Sequence, residues 1–321
     1  MFTGCKNGNY NLSGKIDGLG NDTIYLFQPR EAGNDLDTII VKDGSFDYTL
    51  KVDTVTPFIL LINDTEIPVF ADKDLDVIIK GELSALNELQ IRGGESNDAL
   101  NEFRKSIASF KTSGSELKAK AEKYIRTHGN SPSSIYVLDN YFVQTENPDY
   151  KKISELIKSL SVDLQDEFYI KQLSEIAERQ MNVEPGKQAP FFHNKDKDST
   201  IISLNNFKDK YLLMTFWASW WYSSPKDQKA VKTITNKFKK EKLAFLGVSL
   251  DTNRDNWLNA IKKDTLAGIQ VTDLQGWENS IALLYGIEKL PSNILIGPDG
   301  KIIARNLTEK DLAEKLEEIF K

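Results

Sequence analysis

The sequence has very few of the side chains that bind metals or form disulfides. Among its 321 residues are one cysteine, Cys5, and two histidines, His128 and His193. A single cysteine cannot form a disulfide within the chain, and a cysteine-based metal site needs several thiolates. The two histidines are far apart and lack the spacing of metal ligands, so a zinc or iron site of the His/Cys kind is not expected. We therefore predict neither a bound metal nor a cofactor.

The sequence also lacks a long apolar run and an excess of positive charge. It has no stretch of about 18 apolar residues, the length that a membrane-spanning helix needs. The net charge is −6, from 41 basic and 47 acidic residues, and the longest basic cluster, residues 237–242, contains Glu241. Proteins that bind nucleic acids concentrate Lys and Arg where the phosphates lie. We predict neither a transmembrane helix nor a nucleic-acid partner.

What the sequence does contain is enough apolar material for two or three domains. Its length exceeds that of a usual single domain. Its 40% hydrophobic and 27% charged residues are ordinary for a globular protein. In residues 10–92, alternating apolar and polar runs (23–27, 38–41, 45–52 and 58–62) are separated by turn residues such as Asp43 and Gly44. This pattern predicts an N-terminal antiparallel β-domain, either a small sandwich or a barrel-like sheet.

A helical region follows, and after it strands alternate with helices. Gly93 and Gly94 end the β-pattern. Leu100, Phe103 and Ile107 then begin a series of apolar residues spaced three and four apart, which predicts a helical connector over residues 93–182. In residues 183–321, apolar runs alternate with helical patterns and end in a hairpin. This order predicts an α/β domain with a mixed central sheet flanked by helices.

The most informative stretch is residues 212–226, which read Leu-Leu-Met-Thr-Phe-Trp-Ala-Ser-Trp-Trp-Tyr-Ser-Ser-Pro-Lys. The apolar run that ends at Trp217 has the length of a buried strand. Ser224 is a favourable N-cap residue, and Pro225 suits the first position of a helix. We therefore predict a buried strand, a turn, and a helix that begins at these two residues.

This stretch resembles the active site of the thioredoxin-like, thiol-specific antioxidant (alkyl hydroperoxide reductase) family. In that family a strand is followed by Trp-Ala-Ser-Trp, then by Cys-x-x-Cys and a helix, and residues 217–220 match the first motif letter for letter. Leu290-Pro291 resembles the second hallmark, a cis proline that faces the active site before a strand. The resemblance covers residues 186–321 and implies a thioredoxin-like fold. The order of segments in residues 10–92 resembles the β-domain that precedes such domains in many Gram-negative lipoproteins.

The reactive groups of that family are missing from this chain. The two cysteine positions fall on Trp221 and Ser224, and Thr215 stands where thioredoxins have a buried acid. The family chemistry needs a thiolate at the helix N-terminus and a second thiol to resolve the mixed disulfide. A serine nucleophile at Ser223 or Ser224 would need a neighbouring base, which the sequence does not place there. We therefore predict no disulfide exchange and no peroxidase activity by this chain alone, and we name no catalytic residue.

Because Trp221 stands where the family has a cysteine, two interpretations of the groove at the family's active-site position remain open. In the first, Trp221 and Tyr222 form an aromatic platform for a polypeptide or a glycan, because aromatic rings offer a large contact area with a polar edge. In the second, Trp221 fills the groove by packing against the helical middle region. The candidate binding site is this degenerate groove, formed by Trp220, Trp221, Tyr222, Ser223, Ser224, Leu290 and Pro291.

The N-terminus resembles the end of a bacterial lipoprotein signal. Residues 2–5 read Phe-Thr-Gly-Cys, and Cys5 follows a small residue as the lipidated cysteine of such signals does. We expect lipidation of Cys5, a short polar tether over residues 1–9, and a location at the bacterial cell envelope with the lipid anchor as the membrane contact. The alternative is a free surface cysteine in the tail.

These features predict a redox-inactive envelope protein that binds a polypeptide or other ligand without disulfide chemistry, and not an enzyme. The alternative is a thiol-disulfide oxidoreductase or antioxidant protein by family descent, whose activity would need Cys5 or the thiols of a partner. The two functions predict different assays. An enzyme must reduce disulfides or consume peroxide in a Cys5-dependent way, and a binding protein need do neither.

Overall fold

The computed structural model describes residues 9–29, 36–73, 75–108, 114–222, 224–238, 242–264 and 268–321. The contacts divide the chain into two compact units, Met1–Glu175 and Ile176–Lys321. Cys5 and Ser223 lie outside the described residues, so the roles assigned to them stay predictions. None of the described helices combines the length and the apolar content that crossing a membrane requires.

In the first part of unit 1, the residues that the structure describes form eight strands. They are β1 (Asn9–Asp17), β2 (Asp22–Phe27), β3 (Asp37–Val41), β4 (Ser45–Lys51), β5 (Thr56–Ile62), β6 (Thr65–Ala71), β7 (Val77–Glu82) and β8 (Gln90–Arg92). They form two four-stranded sheets, in the orders β4-β1-β7-β8 and β3-β2-β5-β6. The pairs within these sheets are antiparallel, except that β1 and β7 run parallel. The predicted β-rich region is present, with one parallel pair that local patterns do not reveal.

One hydrophobic core joins the two sheets. Leu12 and Ile16 of β1 are fully buried, and so are Leu26 and Leu60 of the other sheet. All four side chains belong to the same cluster. Since side chains alternate between the two faces of a strand, each sheet turns one apolar face towards the other sheet. The two sheets therefore form a sandwich.

The rest of unit 1 is helical. Its helices are α1 (Glu95–Ala108), α2 (Gly114–Thr127), α3 (Ser133–Leu138), α4 (Tyr150–Ile157) and α5 (Val162–Gln165), and α6 (Phe168–Asn182) runs from unit 1 into unit 2. A π-helical turn continues α3. The side chain of Asp149 accepts a hydrogen bond from the backbone N–H of Lys152 and so caps α4, and Ser161 caps α5 in the same way. The apolar faces of these helices form a second core.

Unit 2 alternates strands with helices. Its elements are β9 (His193–Lys195), β10 (Ile201–Ser203), β11 (Tyr211–Trp217), α7 (Ser224–Thr235), β12 (Leu243–Ser249), α8 (Arg254–Asp264), β13 (Ile269–Val271), α9 (Ser280–Leu284), β14 (Ser292–Ile296), β15 (Ile302–Arg305) and α10 (Glu309–Phe320). The five-stranded sheet has the order β13-β12-β11-β14-β15, and β9 and β10 form a separate hairpin. Strands β11, β12 and β13 are parallel, whereas β14 and β15 are antiparallel to their neighbours. The predicted mixed sheet is confirmed.

The central strand β11 is buried on both faces. Leu212, Met214 and Phe216 belong to one hydrophobic cluster, and Leu213 belongs to another, which includes Val231 of α7. Because successive side chains of a strand point to opposite faces, a strand covered on both sides has a continuous apolar sequence. This burial fixes β11 in the middle of unit 2 and so determines where the following turn lies.

The strand beside β11, β14, begins directly after the proline that the family resemblance singles out. The peptide bond between Leu290 and Pro291 is cis, as that resemblance implies. The next residue, Ser292, begins β14 and is paired with Phe216. This register places Pro291 level with the carboxyl end of β11.

Candidate functional site

The chain turns sharply at the carboxyl end of β11. The backbone N–H of Trp221 donates to the carbonyl oxygen of Ala218 (3.2 Å), and α7 begins at Ser224. Trp220 is 50% exposed and Tyr222 is 100% exposed. Trp221, between them, is partly buried and packs against the main core of unit 2. The turn therefore presents aromatic side chains to solvent on either side of one that is anchored in the core.

A buried carboxylate holds this turn in place. Asp251, which is 1% exposed, lies just after β12. Its oxygens accept hydrogen bonds from the backbone N–H of Ser219 (3.1 Å) and from the hydroxyl groups of Ser219 (2.5 Å) and Ser249 (2.6 Å). A carboxylate can be buried at acceptable cost only when its oxygens are hydrogen-bonded. Asp251 thus bonds both to Ser219 in the turn and to Ser249 at the end of β12, and it links the turn to that strand.

The indole of Trp220 is fixed at its polar edge. Its Nε1 donates to the carbonyl oxygen of Leu250 (3.3 Å). The backbone N–H of Leu250 in turn donates to the carbonyl oxygen of Trp217 (2.8 Å), which continues the pairing of β11 with β12. The hydrogen bond uses the one polar group of the indole, so the ring surface that remains exposed is apolar. A ring held in this way loses little conformational freedom when a ligand covers it.

A third tryptophan meets the turn from a distant part of the sequence. Trp277 is 42% exposed, and its ring centroid lies 6.4 Å from that of Trp220. The ring of Trp221 also meets that of Trp220, edge-on and with the ring centroids 6.2 Å apart. The residue before Trp277 is Gly276, whose φ of 60° would strain any other side chain in the short 3-10 turn that carries the tryptophan. We call Trp220, Trp221, Tyr222 and Trp277 the aromatic surface.

The strands below the turn carry two polar side chains, Thr215 and Gln270. Thr215 is 3% exposed and is paired with Gly247, which is paired in turn with Gln270. The amide of Gln270 lies over Gly247, where an added Cβ would come within 2.0 Å of its Oε1. The same oxygen accepts a hydrogen bond from Nε1 of Trp217 (3.0 Å). A hydroxyl group and an amide thus occupy the layer in which the family resemblance places a proton-relaying acid.

The other predicted site residues lie at the same end of the sheet. Leu290 is buried and belongs to the core against which Trp221 packs, and Pro291 is exposed. The side chain of Ser224 is not among the described ones, so its role as an N-cap stays a prediction, as does any role of Ser223. The turn carries no thiol, because the one cysteine of the sequence is Cys5. What it offers is aromatic surface with the hydroxyl group of Tyr222, which suits non-covalent contact.

Sequence patterns did not single out Asp251 or Trp277. Asp251 bonds to Ser219 across 32 residues of sequence. An acidic residue directly after a buried parallel strand is the signal that would have pointed to it, because the carboxyl ends of β11 and β12 meet at one edge of the sheet. No comparable signal marks Trp277, whose position depends on the path of the chain after β13.

Two family models match the chain. Residues 10–100 match a domain of unknown function, DUF4369, and residues 185–305 match the AhpC/TSA family. The first match covers the sandwich from the second residue of β1 to the end of β8, and the second covers unit 2 from before β9 to the end of β15. The two matched ranges therefore agree with the division of the structure into a β-sandwich and an α/β fold.

Several known proteins are similar to the second of these regions. The thiol-disulfide oxidoreductase ResA of Bacillus thuringiensis subsp. konkukian is 28% identical over 143 residues, which cover 44% of this chain and 80% of that protein. A thiol-disulfide oxidoreductase of known structure from Bacteroides fragilis is 41% identical over 41% of this chain and 99% of that chain, with a TM-score of 0.40. The thioredoxin domain of a thiol-disulfide oxidoreductase from Bacteroides vulgatus is 30% identical over 43% of this chain and 99% of that chain, also with a TM-score of 0.40.

Replacement of Asp251 by alanine tests how the turn is held. We expect Asp251→Ala to lower the free energy of unfolding by about 2–3 kcal/mol, because buried donors on Ser219 and Ser249 lose their acceptor. Urea denaturation followed by circular dichroism measures this change. The control is Glu184→Ala, a change at an exposed carboxylate of unit 2, which should alter stability by no more than about 0.5 kcal/mol. An equal, small effect of both substitutions would contradict the role of Asp251.

Proposed function

Because the chain belongs to the AhpC/TSA family through residues 185–305, and carries Trp221 where that family has its attacking cysteine, we propose that it is a redox-inactive thioredoxin-like protein. In this proposal it binds a polypeptide non-covalently at the aromatic surface. The observation that carries the proposal is the exposure of Trp220, Tyr222 and Trp277 around a partly buried Trp221.

The loss of redox chemistry follows from what disulfide exchange requires. A thiolate must attack the substrate disulfide, and a second thiol must release the mixed disulfide. The sequence has one cysteine, Cys5, which is far from the turn in sequence and has no second thiol with which to pair. The side chains of Thr215 and Gln270 are consistent with this loss, because a hydroxyl group and an amide stand in the layer where the family resemblance implies a proton-relaying acid.

The exposed rings favour a binding role. Tryptophan and tyrosine are enriched among the residues that contribute most to protein–protein binding, since they bury a large area at a small entropic cost. Trp220 is pre-oriented by its bond to Leu250, and it is flanked by Trp221 and Trp277. An extended polypeptide with apolar side chains would cover all of these rings. Sugar rings also stack on aromatic faces, so a glycan is the second ligand to be tested.

We also propose that the protein lies at the bacterial cell envelope and is anchored by a lipid on Cys5. The support is the sequence Phe-Thr-Gly-Cys at residues 2–5, which resembles a lipoprotein signal. Growth of expressing cells with a labelled fatty acid tests this proposal. The full-length protein should take up the label and Cys5→Ser should not; equal labelling of both, or of neither, would contradict it.

Redox assays separate this proposal from an oxidoreductase function of the kind that the relatives' names describe. We expect neither the native protein nor Cys5→Ser to reduce insulin disulfides, or to consume peroxide, faster than dithiothreitol alone. The matched positive control is the Cys5→Ser protein carrying Trp221→Cys and Ser224→Cys, which restores both thiols of the family motif. We expect this variant to form a disulfide and to accelerate insulin reduction. Activity of the native protein that disappears in Cys5→Ser would instead support the oxidoreductase.

Substitutions in the aromatic surface test the binding role. The probe is a fluorescein-labelled, permanently unfolded polypeptide without cysteine, and binding is measured by anisotropy. We expect Trp220→Ala and Tyr222→Ala each to raise Kd about tenfold, which corresponds to about 1.4 kcal/mol. The control is Phe191→Ala, which removes another exposed aromatic side chain of unit 2. Equal binding of the polypeptide by all variants would contradict the proposed surface. If the native protein binds to a glycan array and not to the polypeptide, the ligand class is a glycan.

A further inference from the structure

The aromatic surface carries an indole N–H group that the described part of the fold does not use. Trp220 donates its N–H to the carbonyl oxygen of Leu250. Trp277 is exposed, and its Nε1 forms no hydrogen bond with the part of the chain that the structure describes. Because a donor that is buried without an acceptor is costly, this group is hydrated while the site is empty. A ligand that covers Trp277 must therefore offer its N–H an acceptor.

The turn that carries Trp277 is held by one carboxylate. Asp273 accepts hydrogen bonds from Nδ2 of Asn279 (2.7 Å) and from the backbone N–H (2.8 Å) and hydroxyl group (2.9 Å) of Ser280. These bonds tie the chain before the tryptophan to the chain after it. The planes of the Trp277 and Trp220 rings are inclined at 59° to each other. The two rings thus form a pre-oriented pair that does not present a single flat surface, which suits a compact ligand ring that contacts both.

Both outer strands of the five-stranded sheet already bond to other segments of unit 2. Val271 of β13 forms a bridge with Asp196. In β15, the backbone of Ile302 accepts a hydrogen bond from Gly186 (2.7 Å) and donates one to Lys187 (2.9 Å). A peptide that binds by adding a strand needs an exposed sheet edge for its own backbone groups. These contacts disfavour strand addition as the way in which unit 2 binds a polypeptide.

The unused donor favours a ligand whose backbone carbonyl groups are free. The carbonyl groups of an α-helix are bonded within the helix. A polyproline II helix has no internal hydrogen bonds, so its carbonyl oxygens can accept from Nε1 of Trp277. Proline also has no backbone N–H that binding could leave without a partner. Such segments dock on surfaces lined with aromatic side chains, and their preformed conformation keeps the entropic cost of binding low.

The charged side chains near the rings are acidic. The segments that carry and support the rings are residues 217–222, 249–253 and 271–280. They contain Asp251, Asp273 and Glu278 and no lysine or arginine. The first two bond within the fold, whereas Glu278 is exposed and forms no ion pair among the residues that the structure describes. Because Glu278 directly follows Trp277, a basic side chain of the ligand would complement this charge.

We propose that the aromatic surface binds a proline-rich segment in the polyproline II conformation, with a lysine or arginine beside the prolines. A prolyl ring packs against Trp220 and Trp277, a carbonyl oxygen of the ligand accepts from Nε1 of Trp277, and Glu278 pairs with the basic side chain. This inference rests on the proposed binding function and names the class of polypeptide that the surface takes.

Three fluorescein-labelled peptides test the conformation and the charge of the ligand. The first repeats Pro-Pro-Leu and ends in Arg-Arg, the second has alanine in place of every proline, and the third ends in Glu-Glu. Binding to the native protein is measured by anisotropy at low ionic strength. We expect the first peptide to bind about tenfold more tightly than the alanine peptide, because its conformation is preformed. We expect it to bind about threefold more tightly than the Glu-Glu peptide, because of Glu278.

Two substitutions test the assigned contacts. Trp277→Phe keeps an aromatic ring but removes the donor, and we expect it to weaken binding of the first peptide about fivefold. In the native protein, the first peptide should move the indole N–H signal of Trp277 in a proton–nitrogen correlation spectrum. Glu278→Gln should abolish the preference for Arg-Arg over Glu-Glu, whereas Glu184→Gln, at another exposed carboxylate of unit 2, should keep it.

Two results would overturn the inference. One is equally tight binding of the alanine peptide and the first peptide. The other is native-like binding of the first peptide by both Trp277→Phe and Glu278→Gln. In either case, weakened binding of the unfolded, cysteine-free polypeptide by Trp220→Ala would leave the proposed function standing. If the native protein binds neither that polypeptide nor any of the three peptides, the proposed function fails together with the inference.

Discussion

The burial of β11 on both faces is the constraint on which the rest of unit 2 depends. Leu212, Met214 and Phe216 fill one core, and Leu213 fills the other. Each such side chain contributes about 1.5–3 kcal/mol when it is withdrawn from water. A strand held from both sides has one position and one register, so the turn at its carboxyl end is fixed as well. Asp251 then ties that turn to the end of β12.

This framework has the turn, helix and cis proline that the family resemblance implies, without the two cysteines of the family motif. The turn, the helix that begins at Ser224 and the cis peptide bond before Pro291 are all retained. Three hydrogen bonds to Asp251 and one from Trp220 to Leu250 hold the turn without any contribution from a cysteine. These bonds do not involve the side chain at position 221, whose large ring packs on the core while its neighbours face solvent.

Patterns in the sequence predicted the parts of the structure that depend on local rules. The continuous apolar run of β11, the helix after it and the alternation of strands and helices all follow from periodicity, and the cis bond at Pro291 followed from a family resemblance. The parallel pairing of β1 with β7 could not be predicted in this way, because it joins strands that are separated by five others. The contacts of Asp251 and Trp277 were missed for the same reason. Both depend on which distant segments the folded chain brings to one edge of the sheet.

A titration followed in a proton–nitrogen correlation spectrum tests the central claim most directly. A cysteine-free unfolded polypeptide is added to the Cys5→Ser protein, and the indole N–H signals of the tryptophans are recorded. This mixture contains no thiol, so any saturable change reports non-covalent binding. The account predicts that the signals of Trp220 and Trp277 move, while that of Trp217, buried and bonded to Gln270, stays in place. Absence of any change, together with a change when a polypeptide that contains a disulfide is added to the native protein, would contradict the account and point to thiol chemistry.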